Sequence, residues 1–430
     1  ILNIQGVMFE GNSVTGHGGA IYASDTEMTL NNTTFLHNSA ANNGGAMYIV
    51  AVNLSGKDNI FTENSAVNHG GAIYVNYTGS GENRVASVVD LTDGSFEGNT
   101  AMAGGAVSIR TSCKATFTGT SFVNNSVTGY ADENDGDGDG GGAIYVGFGE
   151  LTLNNVTATG NTAGFGGVVD AFVSNVTVSG GTYSSNEATD GGVFYAKSGS
   201  NITISNATFT GNKSTYINTD VNSNKGGGVV NVSGGSLTMS KVVLDGNITD
   251  YYGGAVLANG TQVTIKDGCE IKNSQGKTGA ALYFKGGCTV IIENSSITDN
   301  VATGNGVVYQ NSGTLTITNV TATGNEAVSG GVLFASGNST NVTISGCDWN
   351  NNTAAVGGAI HLGNGTMHVI GSSFSANSAR LGGAIYVTVA QLQIENVIFT
   401  NNTATVDDAG QNGNGGAICI SGGTVTGTGN

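Results

Sequence analysis

The densest group of side chains able to do chemistry is Asp132-Glu133-Asn134-Asp135-Gly136-Asp137-Gly138-Asp139-Gly140. Asp135, Asp137, Asp139 and Gly140 fit the opening of a calcium loop, where alternating carboxylates converge on one hard cation. The bidentate glutamate that closes such a loop is missing, because Val146 stands in its place. The competing reading is a solvated acidic loop. A second cluster sets Lys266, Lys272, Lys277 and Lys285 beside Asp267 and Glu270. Cleavage of an acidic polysaccharide would need carboxylates and a cation converging on one face. No clear acid–base constellation emerges from these residues, and ordinary surface charge accounts for them. The five His residues are scattered and suggest neither a triad nor a metal site. Calcium aside, the expectation is a chain with no cofactor and no enzymatic activity.

Two further residue types carry potential chemistry. Asn-x-Ser/Thr sequons number 20, more than composition alone generates. One set lies six residues before a recurrent Asn: Asn32, Asn155, Asn206, Asn294 and Asn319. Another lies directly before it: Asn124, Asn351 and Asn401. In a eukaryotic secretory pathway such rows would become stripes of covalent N-glycans. The alternative is that a repeat rich in Asn, Ser and Thr makes sequons as by-products. Cysteines number five, at 113, 269, 288, 347 and 419. The odd count argues against a complete disulfide set. No zinc spacing is present, so free thiols in the core are expected.

These residues sit on a repeat. A Gly-Gly-Ala-Ile-like motif occurs in 15 copies, with clear examples at Gly18, Gly44, Gly70, Gly253 and Gly382. Ahead of it stands aromatic-x-x-Asn, as in Phe9/Asn12, Phe35/Asn38, Phe61/Asn64 and Phe374/Asn377. The recurrent Asn residues are Asn12, Asn38, Asn64, Asn99, Asn125, Asn161, Asn186, Asn212, Asn247, Asn300, Asn325, Asn352, Asn377 and Asn402, with Ser274 in the remaining place. Most coils take 25 to 27 residues, and four carry insertions near 76–84, 130–140, 215–225 and 405–414. Between motifs, apolar residues alternate, as in Leu151/Leu153, Ile202/Ile204 and Val342/Ile344. Period two in Val-, Ile- and Thr-rich stretches marks strands.

The spacing therefore predicts an all-β, right-handed parallel β-helix: a single-stranded solenoid of about 15 coils, three short strands per coil, continuous over 1–430. At about 4.8 Å per coil its length would be roughly 70 Å. The glycine pair would turn the chain with positive φ at one residue. The aligned Asn residues would form an internal ladder, bonding their own coil and the next. Asn212 and Asn247 are sequons on that ladder and should stay unmodified. Proline is absent, as expected where strands are paired on both sides.

A tyrosine row follows the glycine motif: Tyr22, Tyr48, Tyr74, Tyr145, Tyr195, Tyr283, Tyr309 and Tyr386. Phe334 and His361 share the slot, as do Ser108, Asp170 and Asn231. This tolerance suggests that the slot faces outward while its apolar neighbours face in. The opposite facing stays open. Cross-coil stacking is one role for it, and a platform for sugars or a partner is another.

The paired Phe-x-x-Asn and Gly-Gly-Ala-Ile/Leu/Val motifs resemble the repeats of the chlamydial polymorphic outer-membrane proteins. That resemblance covers the whole chain and implies a β-helical surface adhesin. No β-barrel translocator is visible in the sequence. The formal net charge of −17 disfavours nucleic-acid binding. No run of 18 apolar residues occurs, so no membrane insertion by this segment is expected. The first residues show neither an initiator Met nor a signal peptide, and the chain reads as an excerpt of a longer one. Repeats without caps at either end, together with the sequon excess, favour an extracellular rod. It would build a surface fibre, filament or coat through end-to-end or side-by-side self-association. The alternatives are an adhesin binding surface glycans or proteins, and a polysaccharide lyase or hydrolase.

Overall fold

The shape of each coil is set by a glycine pair and two left-handed corners. At the pair, Gly44 takes φ +68° and turns the chain before the strand Met47–Lys57. Gly45 is needed for a different reason: a Cβ there would lie 2.0 Å from the Gly71 carbonyl oxygen of the next coil. The first glycine supplies conformation and the second supplies close stacking.

The computed structural model describes residues 1–128, 140–216, 225–406 and 413–429. They fall into two compact units. Unit 1 is Ile1–Thr215 with Val229–Gly235, and unit 2 is Tyr216–Gly228 with Ser236–Asn430. Each unit is a parallel β-helix, with almost no other regular structure among the described residues. Successive coils pair in register at the aromatic strands, as in Phe9↔Phe35, Phe35↔Phe61 and Phe61↔Phe96 in unit 1. In unit 2, Trp349 pairs Phe374 and Phe374 pairs Phe399. Among the described residues the aromatic-side sheet has eight strands in unit 1 and seven in unit 2.

Three parallel sheets result, divided differently from the simplest reading of the repeat. The strand after the glycine pair and the middle strand belong to one bent sheet. In several coils they are a single run, as in Met47–Lys57 and Ile385–Glu395. The aromatic strand, such as Ile60–Thr62, forms the second sheet. A third sheet comes from two-to-four-residue strands after the recurrent Asn, such as Ser65–Ala66. These pieces are too short to show alternation, so the sequence pattern gives no sign of them.

The interior is continuous within each unit. Phe9, Phe35, Phe61, Phe96 and Phe122 stack with centroid separations of 4.6 to 4.9 Å. Each fully buried ring contributes roughly 2–3 kcal/mol by burial. Cys113 and Cys288 fill the buried corner held by Ser174 and Ser200 in other coils, and all five cysteines are free. The extra residues near 76–84 form a small hairpin in which Tyr77 pairs Ala86 and Thr78 pairs Val85. The Arg84 guanidinium caps it, 4.7 Å from the centre of the Tyr77 ring.

Candidate functional site

The recurrent Asn residues are brought together most tightly. In unit 1, Asn38 Nδ2 donates to Asn64 Oδ1 at 2.9 Å, and Asn64 Nδ2 to Asn99 Oδ1 at 3.0 Å. The run extends from Asn12 through Asn125, Asn161 and Asn186 to Asn212. In unit 2 the same bonds join Asn300, Asn325, Asn352, Asn377 and Asn402. Each carboxamide has further partners. Asn99 Nδ2 also donates to Phe61 O, and Asn99 Oδ1 accepts from the Asn64 backbone N–H. Buried amides thus have both protons and the oxygen used, as burial demands. Asn212 and Asn247 are fully buried.

Why the ladder forms where it does is explained by the residue before it. That position is left-handed in every coil. In unit 1 it is Gly11, His37, Glu63, Gly98, Asn124, Gly160, Ser185 and Gly211; in unit 2 it is Gly246, Asn273, Asp299, Gly324, Asn351, Ala376 and Asn401. A second left-handed corner precedes the aromatic strand, at Gly6, Asn32, Asp58, Asn155, Asn206, Asn294 and Asn319 among others. Asn and Gly enter this region at least cost. All eight singled-out sequon residues lie at these two corners, with φ between +46° and +54°, and all are exposed. Backbone conformation therefore accounts for asparagine at these places without a glycan, while the exposure leaves them open to one.

The tyrosine slot lies on the outer face of its sheet. Ile73 and Val75 on either side of Tyr74 point into the core. Most of these rings are nevertheless covered. Tyr48 stacks between Tyr22 and Tyr74, at 5.2 and 5.0 Å, and the His17 ring lies 4.5 Å away. Tyr283 stacks between Tyr252 and Tyr309, at 4.5 and 4.8 Å. Tyr145 is buried, Phe165 stacks on Tyr195 at 4.7 Å, and His361 lies 5.0 Å from Tyr386. The residue just before the glycine pair closes over the row. Ring faces are thus largely occupied by one another, and Tyr22 is the exposed member at 59%.

The lysine cluster separates into ordinary surface contacts. Lys272 Nζ meets Glu270 Oε2 at 2.8 Å, Lys266 meets Asp267 at 3.7 Å, and Lys277 lies over Tyr251. The bond to Glu270 raises the Lys272 pKa. Asp135, Asp137 and Asp139 lie outside the described residues. Burial pushes the Cys113 and Cys347 thiols up to about 11.

Two features have little sequence signal. In unit 1, Asp170 and Asp190 are buried carboxylates, and Asn231 Nδ2 donates to Asp190 Oδ1 at 2.7 Å. On the outer face of unit 2, two adjoining hollows of about 370 and 360 Å³ share Thr366, Gln391 and Thr424. The available hint is polar residues in register at coil spacing, such as Thr366↔Gln391 and His368↔Gln393.

The architecture defines a class, the right-handed β-helix, and residues 227–430 match the family described as right-handed beta helix region. The repeats define it further: residues 6–24 and 60–76 match the Chlamydia polymorphic membrane protein repeat. This chain is therefore a β-helix carrying the polymorphic-membrane-protein type of repeat, and that combination suggests a surface or outer-membrane protein. No curated protein and no solved structure matches it. Among the described residues, no helix is long and apolar enough to cross a membrane.

Proposed function

We propose that this chain is a non-enzymatic structural scaffold displayed outside the cell or on its surface. The observation that carries this reading is the Asn ladder. The most regular polar groups in the molecule bond one coil to the next and have no capacity left for a substrate. A protein whose repeated chemistry is directed at its own neighbours is suited to holding a length and presenting its outer faces. Fibre or coat formation by self-association, with N-glycans at the exposed corner asparagines, is the setting we assign to it.

Antibody labelling of intact producing cells tests the location. Signal on unbroken cells is expected, and signal only after lysis sinks the proposal. Electron microscopy of native material tests the fibre, since uniform separate particles would count against assembly. The polymorphic-membrane-protein repeat favours a second reading, an adhesin that contacts other surfaces through its outer faces. Beads coated with the purified chain should then adhere to cells, and uncoated beads should not. Incubation with acidic polysaccharides followed by assay for new chain ends tests the non-enzymatic claim, and new ends would overturn it.

A further inference from the structure

The paired hollows on unit 2 differ in kind from the rest of the outer surface. Their floor is built by strands Ile360–Ile370, Ile385–Glu395 and Thr424–Thr428, which run in register. Below that floor, Met367 and Leu392 are buried in the core, so the floor is held from beneath. Facing outward are Thr366, Gln391, Gln393, Thr424 and Thr426. Along one margin Asn364 Nδ2 donates to Asn338 Oδ1 at 2.6 Å, and Val389 stands 72% exposed. Along the other, His368 Nε2 faces Glu395 Oε2 at 3.7 Å. Among the described lining residues there is no Asp, Glu, Lys or Arg. Within the described residues, the Gln391 and Gln393 carboxamides make no side-chain hydrogen bond, unlike the buried amides of the ladder.

We propose that these joined hollows bind a neutral, linear oligosaccharide lying along the stack of coils. A carboxamide offers a donor pair and an acceptor side by side, which suits the adjacent hydroxyls of a sugar. With no Asp, Glu, Lys or Arg among the lining residues, and Glu395 at the margin turned to His368, a charged ligand would lose hydration and gain no partner on the floor. The side-chain rows repeat at about 4.8 Å per coil, close to the length of one sugar unit in an extended glycan. Thr366, Gln391 and Thr424 can therefore each offer a donor and an acceptor to successive units. Val389 supplies an apolar surface for a sugar C–H face. An extended peptide fits less well. At Gln391 the floor strand is paired on both sides, with Thr366 and Thr424, so added main-chain bonds are confined to Thr424–Thr428, whose one pairing among the described residues is with Ile385–Glu395. This site deepens the contact-surface reading above and rests on it.

The test is calorimetric titration of the full chain with neutral cello-, chito-, manno- and xylo-oligosaccharides. At least one series should bind saturably. Gln391→Ala and Gln393→Ala should each weaken it roughly threefold to tenfold, the worth of one or two hydrogen bonds. Gln262→Ala, an outward glutamine on the same sheet away from the hollows, should leave affinity unchanged. Absence of saccharide binding at millimolar ligand overturns the site, and so does affinity indifferent to both groove variants. Displacement of the sugar by neutral peptides at equal concentration overturns the ligand class. Beads that adhere to cells while the chain binds no saccharide would sink this site and leave the adhesin reading standing.

Discussion

Asn124 and Asn125 are neighbours in unit 1 with the same side chain and opposite circumstances. Asn125 is fully buried, and its carboxamide bonds Asn161, Phe96 and Asn99. Asn124 is exposed, and what it contributes is a backbone at φ +52°. Gln391 and Gln393 in unit 2 are a third case, outward carboxamides bonded to nothing within the described residues. The comparison teaches that residue type does not decide what an amide does here. Its place on the coil does, because in-register stacking multiplies each place into a row. Inside, the row satisfies itself; outside, some amides pair across coils, as Asn364 and Asn338 do, and others such as Gln391 do not.

The sharpest way to break this contrast is Asn99→Ala. It strips acceptors from the Asn64 backbone and side chain and leaves Phe61 O and Asn125 Oδ1 short of a donor. Orphaned buried groups cost about 1–3 kcal/mol each, so a loss of roughly 4 kcal/mol is expected in urea unfolding. A loss below about 1 kcal/mol would mean that the ladder is not what holds the coils.

A titration comes next, because the ladder amides carry no ionisable proton. His361 does, and burial between Phe334 and Tyr386 pushes its imidazole down to about 4 from the ordinary 6.5. The unfolded chain then binds a proton that the folded one refuses. Stability contributed by the neutral ring is full above pH 6.5, falls as pH drops towards 4, and levels off below. The total should approach about 3 kcal/mol, and His361→Phe should flatten that part of the profile.

At the exposed corner the effect is smaller. Asn124→Val should cost about 1–2 kcal/mol, since a β-branched residue is strained in the left-handed region, whereas Asn124→Gly should be nearly neutral. If both were neutral, the corner would not be what selects asparagine. The smallest change in stability belongs to Gln391→Ala, within about 0.5 kcal/mol, because nothing in the fold leans on it. Peptide mass spectrometry after expression in a glycosylating host extends the same contrast to modification. Exposed Asn32 should accept a glycan and buried Asn212 should not.

How far the sequence went can be argued from these positions. The recurring motifs align the Asn and Phe rows, even across coils lengthened by insertions, as Asn64 and Asn99 show. Alternation such as Val342/Ile344 places the middle strands. The corners before the ladder are far less legible, because His37, Glu63, Ser185 and Ala376 share nothing but a backbone angle. The strand Ser65–Ala66 is shorter than any period. The hollows on unit 2 depend on which outward side chains stand together across three coils, and that leaves no mark in composition. The sequence offered the tyrosine row either as cross-coil stacking or as a platform, and its ring faces are largely shared among themselves. A spacing rule says that rings align and says nothing of what then covers them.

One coil of unit 2 departs from the ladder. Ser274 stands where the carboxamide would be, its hydroxyl donates to Lys272 O in its own coil, and only its backbone N–H reaches Asn300 Oδ1. Under a load applied along the stack, that turn has one fewer side-chain tie to its neighbour than the turns at Asn325 or Asn352. Within the described ladder of unit 2, tension would meet least side-chain resistance at that turn, so a single serine lowers the mechanical strength of its coil.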